Sequence, residues 1–313
     1  MPSPSPKRTP AQLEVVDPRW IAKAFALAIA ASALCAYLAV CLLVYLGSWQ
    51  SMIYPTARMD RTPADFAIPF VPVQFDAAAT GRPRLTAWWI PANTTPAPTI
   101  LFLHDARGTL STSLSTLELL HQAGVNIFAI DYRGFGQSEG PHPTEARMNE
   151  DTAAALDYLV TTRHIPPAGI VPYGEGVAAV LATNLSNSHP ELPAFIVEDP
   201  DPDAFSRVIH QDRSRLLPMS LLVRDHFDIA QALAHSTRPK LLLADTPFIF
   251  ETARVTRNQQ LFRTVPDPKL TVTFDRPFQG VNTITVDKAY LNTIGRFLDQ
   301  YVTAPIPELK GAP

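Results

Sequence analysis

The stretch GIVPYGEGVAAVLATNL, Gly169 to Leu185, decides the fold. Ile170, Val171 and Tyr173 make a short apolar run of the kind that is buried in a sheet. Gly174 and Gly176 permit a sharp turn, and the alanine-rich run from Val177 opens a helix. A strand that passes abruptly into a helix is the building unit of a mostly parallel sheet with helices on both faces.

The same alternation extends in both directions. Upstream, TILFLH (99–104) and VNIFAID (125–131) read as strands. Leu110, Leu114, Leu117 and His121 step at helical spacing between them, and MNEDTAAALDYLV follows as a helix. Two further β-like runs, FVPVQFD and RLTAWWIP, come earlier. Downstream lie AFIVED (194–199), a helical insertion around 203–235, KLLLAD (240–245), a helix near 251–264, and LTVTFD (270–275). A last helix places Tyr290, Ile294, Phe297, Leu298 and Tyr301 on one face.

A chain of 313 residues, 46% of them apolar, can bury a full core. A net charge of -3 with no basic block argues against nucleic acid as a partner. Both cysteines, Cys35 and Cys41, lie in the first hydrophobic stretch, so no disulfide framework, metal spacing or cofactor is implied. From Ala24 to Gly47 the chain carries no charge. That run suits a transmembrane helix, which needs about 20 apolar residues, better than a secretory h-region of about 7–15. Lys7, Arg8, Arg19 and Lys23 precede it, against Arg58 and Arg61 beyond it. The bias puts the N-terminus in the cytoplasm and the main domain in the periplasm or another extracytoplasmic space. The expected organisation is a tail (1–23), a membrane span (24–47), a connector (48–69), an α/β domain (70–303, cap about 203–235) and a tail (304–313).

Several segments, in order, resemble the membrane-anchored α/β-hydrolases related to serine aminopeptidases: WQSMIYPTARMDRTPADFAIPFVPVQF, LTAWWIPA, TILFLHDARG, IDYRGFGQSEG, the turn at Gly174, LLVRDHFDIAQAL and YLNTIGRFL. The resemblance runs from about Gln50 to Tyr301. It implies an α/β-hydrolase fold with an eight-stranded, mostly parallel sheet and a small helical cap. It also implies a nucleophilic serine on a G-x-S-x-G turn, followed by an acid and then a histidine.

Each of those positions departs from the pattern. The aligned turn reads Gly174-Glu175-Gly176-Val177-Ala178, which puts Gly176 in the serine's place. The acid position after KLLLAD is Phe248, with Asp245 a few residues early, and the histidine position in FDRPFQGVN is Gln279. All eight histidines precede residue 236. In the oxyanion region His104 is followed by Asp105, a carboxylate that would repel a developing oxyanion unless Arg107 pairs with it. A literal G-x-S-x-G does occur at Gly136–Gly140, but Ser138 runs into Pro141 and Pro143 instead of opening a helix, and it reads as a structural loop residue.

The preferred reading is a ligand-binding, regulatory or scaffold domain that has lost serine-hydrolase activity, its ligand an unnamed small molecule or protein. A second reading is a hydrolase of ester, amide or acyl substrates that uses Asp105, Glu175 or Asp245. A third is anion or nucleotide binding by the backbone of Gly174, Glu175, Gly176 and Val177, because Gly174-x-Gly176-x-x-Ala179 between two strands also resembles a dinucleotide turn.

Overall fold

A computed structural model of the chain describes residues 17–77, 83–210, 216–245, 252–274 and 283–302. The chain divides into two units, one ending at Leu46 and the other beginning at Gly47.

The described part of the first unit is helix α1 (Pro18–Gly47) up to Leu46. It begins upstream of the expected Ala24 because Asp17-Pro18 is a strong start signal. The Asp17 carboxylate accepts from Arg19 N at 2.9 Å, its carbonyl accepts from Trp20 N at 2.9 Å, and proline suits the first helical position. None of its residues is buried, and Trp20, Phe25 and Leu43 are each more than half exposed. At 1.5 Å per residue such a helix is about 45 Å long. It is long and apolar enough to cross a bilayer, with a mean hydropathy of 2.5 over an 18-residue window.

The second unit is built on eight strands: β1 (Val71–Asp76), β2 (Arg84–Ile90), β3 (Thr99–Leu103), β4 (Asn126–Asp131), β5 (Ile170–Glu175), β6 (Phe195–Glu198), β7 (Lys240–Asp245) and β8 (Lys269–Phe274). They lie in the order β8-β7-β6-β5-β3-β4-β2-β1. Only β2 runs antiparallel to its neighbours, and the other pairings are parallel. This is the α/β-hydrolase architecture that the order of segments suggests. All five residues of β3 are buried, as two covered faces require, whereas edge strand β1 alternates from Val73 to Asp76 between buried and exposed positions.

Side-chain alternation divides the core between the two faces. Leu101, Leu103, Phe128 and Ile130 pack with α3 (Glu145–Asp157) and α4 (Ala179–Ser188). Ile100, Phe102, Ile127 and Tyr173 pack with α2 (Leu114–Gln122) and α9 (Thr283–Tyr301). The cap consists of α5 (Ala204–Ile209), α6 (Met219–Leu222) and α7 (Ile229–Ala234), and α8 (Thr252–Thr264) leads toward β8.

Residues 48–69 are not a free connector. Met52, Ile53 and Ile68 are buried, and Tyr54–Pro55 pairs in parallel with Arg107–Gly108. The apolar residues spaced among the prolines tie this stretch into the domain.

Candidate functional site

The turn after β5 sits at the C-terminal edge of the sheet's centre, where α/β folds place their sites. Glu175 ends the strand, Gly176 takes φ +57, and one 3-10 turn (Gly176–Ala178) leads into α4. A left-handed residue between strand and helix is the elbow shape that would lift a nucleophile into the cleft. Glycine takes this conformation freely. Gly174 is needed for a different reason, since a Cβ there would meet the carbonyl of Ala178 as the helix folds back on the strand.

Asp105, in the loop after β3, fills the space in front of the elbow. A Cβ at Gly176 would overlap the Asp105 carboxylate. Its Oδ1 accepts from Val177 N at 3.0 Å. The N–H after the nucleophile position is one of the two donors that form an oxyanion hole in this fold. Here it holds a carboxylate of the same chain. Arg107, the expected partner of Asp105, lies instead over the Tyr54 ring, 5.1 Å from its centroid, and makes no ion pair with Asp105 among the described residues. The short pairing of Tyr54–Pro55 with Arg107–Gly108 carries Arg107 away from the elbow.

Glu175 points to the α2 side. Its Oε2 accepts from Ser113 Oγ at 2.8 Å and its Oε1 from Thr116 Oγ1 at 2.7 Å. Burial pushes its carboxyl above the usual range, and nearby Asp105 adds to this, while the two hydroxyls and His104 oppose it. His104 has no exposed surface. Its Nδ1 donates to the Asp105 carbonyl at 2.7 Å, and its Nε2 lies 3.3 Å from Asp131 Oδ1, within ion-pair reach but not aligned for a hydrogen bond. Tyr132 Oη donates to the His104 carbonyl at 3.0 Å. His104 therefore shapes the loop that carries Asp105.

Ser138 is tied between strands. Its Oγ accepts from Thr86 N at 2.8 Å and donates to the Asp131 carbonyl at 2.6 Å. Both bonds go to backbone. Arg133 is clamped to Asp151 of α3, with Nε 2.8 Å and Nη2 2.5 Å from Oδ1, which fixes the loop after β4. Phe248 and Gln279 lie outside the described residues; Asp245 is the last residue of β7, paired with Phe274. Among the described residues no group of three His, Cys, Asp or Glu could hold a metal ion.

One part of the cap was not legible as a site component. Glu145, first residue of α3, accepts through Oε2 from His226 N at 2.8 Å and Phe227 N at 2.9 Å. Its own N–H donates to Asp225 Oδ1 at 2.8 Å. The two carboxylates latch the cap exit to the helix. A hint existed in RDHFD, whose paired acids suggest more than a solvated face, but the partner is 80 residues away.

No protein-family model matches the chain. It is 26% identical over 220 residues, 69% of this chain and 75% of the other, to an uncharacterized protein of Mycobacterium tuberculosis. It is 32% identical over 119 residues, 37% of this chain and 38% of the relative, to Alpha/beta hydrolase domain-containing protein WAV2 of Arabidopsis thaliana. In structure it is similar to an esterase of Pyrococcus furiosus, with a TM-score of 0.59, 19% sequence identity and coverage of 80% of this chain and 99% of that one. Sheet order, elbow and relatives agree: the chain is an α/β-hydrolase-fold protein.

Proposed function

We propose that this is a membrane-anchored α/β-hydrolase-fold domain that has given up serine-hydrolase chemistry and acts as a ligand-binding, regulatory or scaffold domain. One observation carries the reading: a single side chain, Asp105, takes both the space of the nucleophile and the oxyanion donor of Val177. Acyl transfer needs a nucleophile at the elbow and a donor aimed at developing negative charge. A carboxylate there offers negative charge to negative charge. The elbow glycine and the aspartate also fit one another, since neither a serine with Asp105 nor an empty donor with Gly176 would fill the space as well. No histidine follows His235 in the sequence to serve as base.

The other readings find less support. Of the carboxylates that could have taken over catalysis, Glu175 is bound by two hydroxyls and Asp105 by Val177 N. An anion or nucleotide phosphate at the turn would have to displace Asp105 from that same N–H.

The test is fluorophosphonate labelling and p-nitrophenyl acetate turnover by the purified full-length chain. The expected result is no serine adduct and no turnover above buffer. The combined Asp105→Gly and Gly176→Ser variant should remain without turnover, for want of a base. Saturable labelling of one mapped serine in the unaltered chain, with turnover, would sink the proposal.

A further inference from the structure

Between the start of α3, the outer face of α4 and cap helices α5 and α7 lies a cleft of about 520 Å³, a size suited to a small organic ligand. What its polar groups have already committed sets its chemistry. Among the lining side chains, Asn184 donates one amide N–H to Asn149 Oδ1 at 3.3 Å, Asn187 donates one to the Ala232 carbonyl at 3.2 Å, and His235 Nδ1 donates to the Gln231 carbonyl at 2.8 Å. Asp228 gives one carboxylate oxygen to Gln231 N at 2.9 Å, and Glu145 gives one to the cap backbone. The second oxygen of each has no hydrogen bond among the described residues. Among the described residues no lysine or arginine lines the cleft. What remains is negative charge and an excess of acceptors.

Two neighbouring observations sharpen this. Glu145 also lines a smaller cleft of about 270 Å³, with Arg224 and Asp225. There Asp225 is only 4% exposed, and its Oδ2 has no hydrogen bond among the described residues. Glu145 thus lies between Asp225, which faces the smaller cleft beside Arg224, and Asp228 of the cap cleft, and the rings of Phe205 and His226 meet edge to face, centroids 4.3 Å apart and planes at 75°. A larger cleft of about 770 Å³ on the β1 side makes a useful contrast. Its Asp76 and Glu150 lie 3.6 Å from Arg84 and 3.0 Å from Arg133, so the chain's own cations answer these two, while Asp157 of the same cleft has no ion pair among the described residues. In the cap cleft Asp228 and Glu145 have no such partner among the described residues.

We infer that the cap cleft binds an organic cation with several N–H donors, a polyamine or related alkylammonium, its charge between Asp228 and Glu145 and its alkyl chain along Phe205. Carboxylates give charge-assisted hydrogen bonds to ammonium groups, and an aromatic face attracts the same cation. The inference goes beyond the loss of acyl chemistry and does not depend on it, since the cleft is lined by cap and helix residues and not by the elbow.

The probe is spermidine, titrated calorimetrically into the full-length chain in detergent at physiological salt. Saturable binding is expected. Asp228→Asn keeps the N-cap oxygen of α7 and Glu145→Gln keeps an acceptor for the cap, so both variants should fold while weakening spermidine by about tenfold or more. Phe205→Leu should weaken it by a smaller factor, and Asp76→Asn, in the contrasting cleft, should leave it unchanged. No saturable heat with spermidine, equal affinity in Asp228→Asn, or equally tight binding of the neutral polyol sorbitol would overturn the inference.

Discussion

Asp105 and Gly176 form a matched pair, and their coupling can be measured. Gly176→Ala puts a Cβ on a left-handed residue and into the Asp105 carboxylate. It should destabilise the domain by about 2 kcal/mol, read by urea denaturation. In an Asp105→Gly background the same change should cost less, with a double-mutant coupling of about 1 kcal/mol or more. Additive effects would mean that the carboxylate does not press on the elbow. Lys240 offers a test through pH. It has no exposed surface, and its Nζ donates to the carbonyls of Ser236 at 3.1 Å and Pro266 at 2.9 Å. Burial, reinforced by Lys269, lowers its pKa to about 8 from 10.5. Between those values the unfolded chain keeps a proton that the folded chain has released, so stability should rise as pH increases through that window. Lys240→Met should flatten that rise in denaturation midpoints measured across it. The glycine at the elbow could be read directly, because a strand-turn-helix is a local pattern. The seat of Asp105 could not, since it meets Val177 across 72 residues of sequence.

Contacts between distant segments decide how the elements are held. Ser138→Ala removes the tie between Thr86 N of β2 and the Asp131 carbonyl of β4. It should cost about 1–2 kcal/mol in chemical denaturation while leaving fluorophosphonate labelling unchanged. A serine lodged in a hydrolase-like motif would lose labelling instead. Glu145→Ala cuts the latch to His226 and Phe227, and limited proteolysis should then cleave within the cap faster than in the unaltered chain. The sequence supplied the strands, the helices and the cap region, because apolar runs and helical spacing repeat within short windows. It did not supply the latch, whose two halves belong to different elements. Nor does it show that residues 48–69 fold into the domain, because the prolines there read as a connector, whereas Met52, Ile53 and Ile68 are buried.

Across the whole molecule, α1 exposes large apolar side chains along its length, and water offers them no partner. The chain should therefore stay with membranes through alkaline carbonate extraction and leave them with detergent, whereas a chain lacking residues 1–47 should appear in the soluble fraction. Release of the intact chain by carbonate would argue against a spanning helix. By itself the sequence determined the apolar segment, the order of strands and helices, and the glycine at the elbow, since each is written in composition or in neighbours a few residues apart. Only the tertiary structure decided that Asp105 closes over Gly176, that Arg107 turns away to Tyr54, and that Glu145 and Asp228 face a shared cleft. Those outcomes depend on which distant loops the sheet brings together at its C-terminal edge, and a contact made by folding has no signature in the local order of residues.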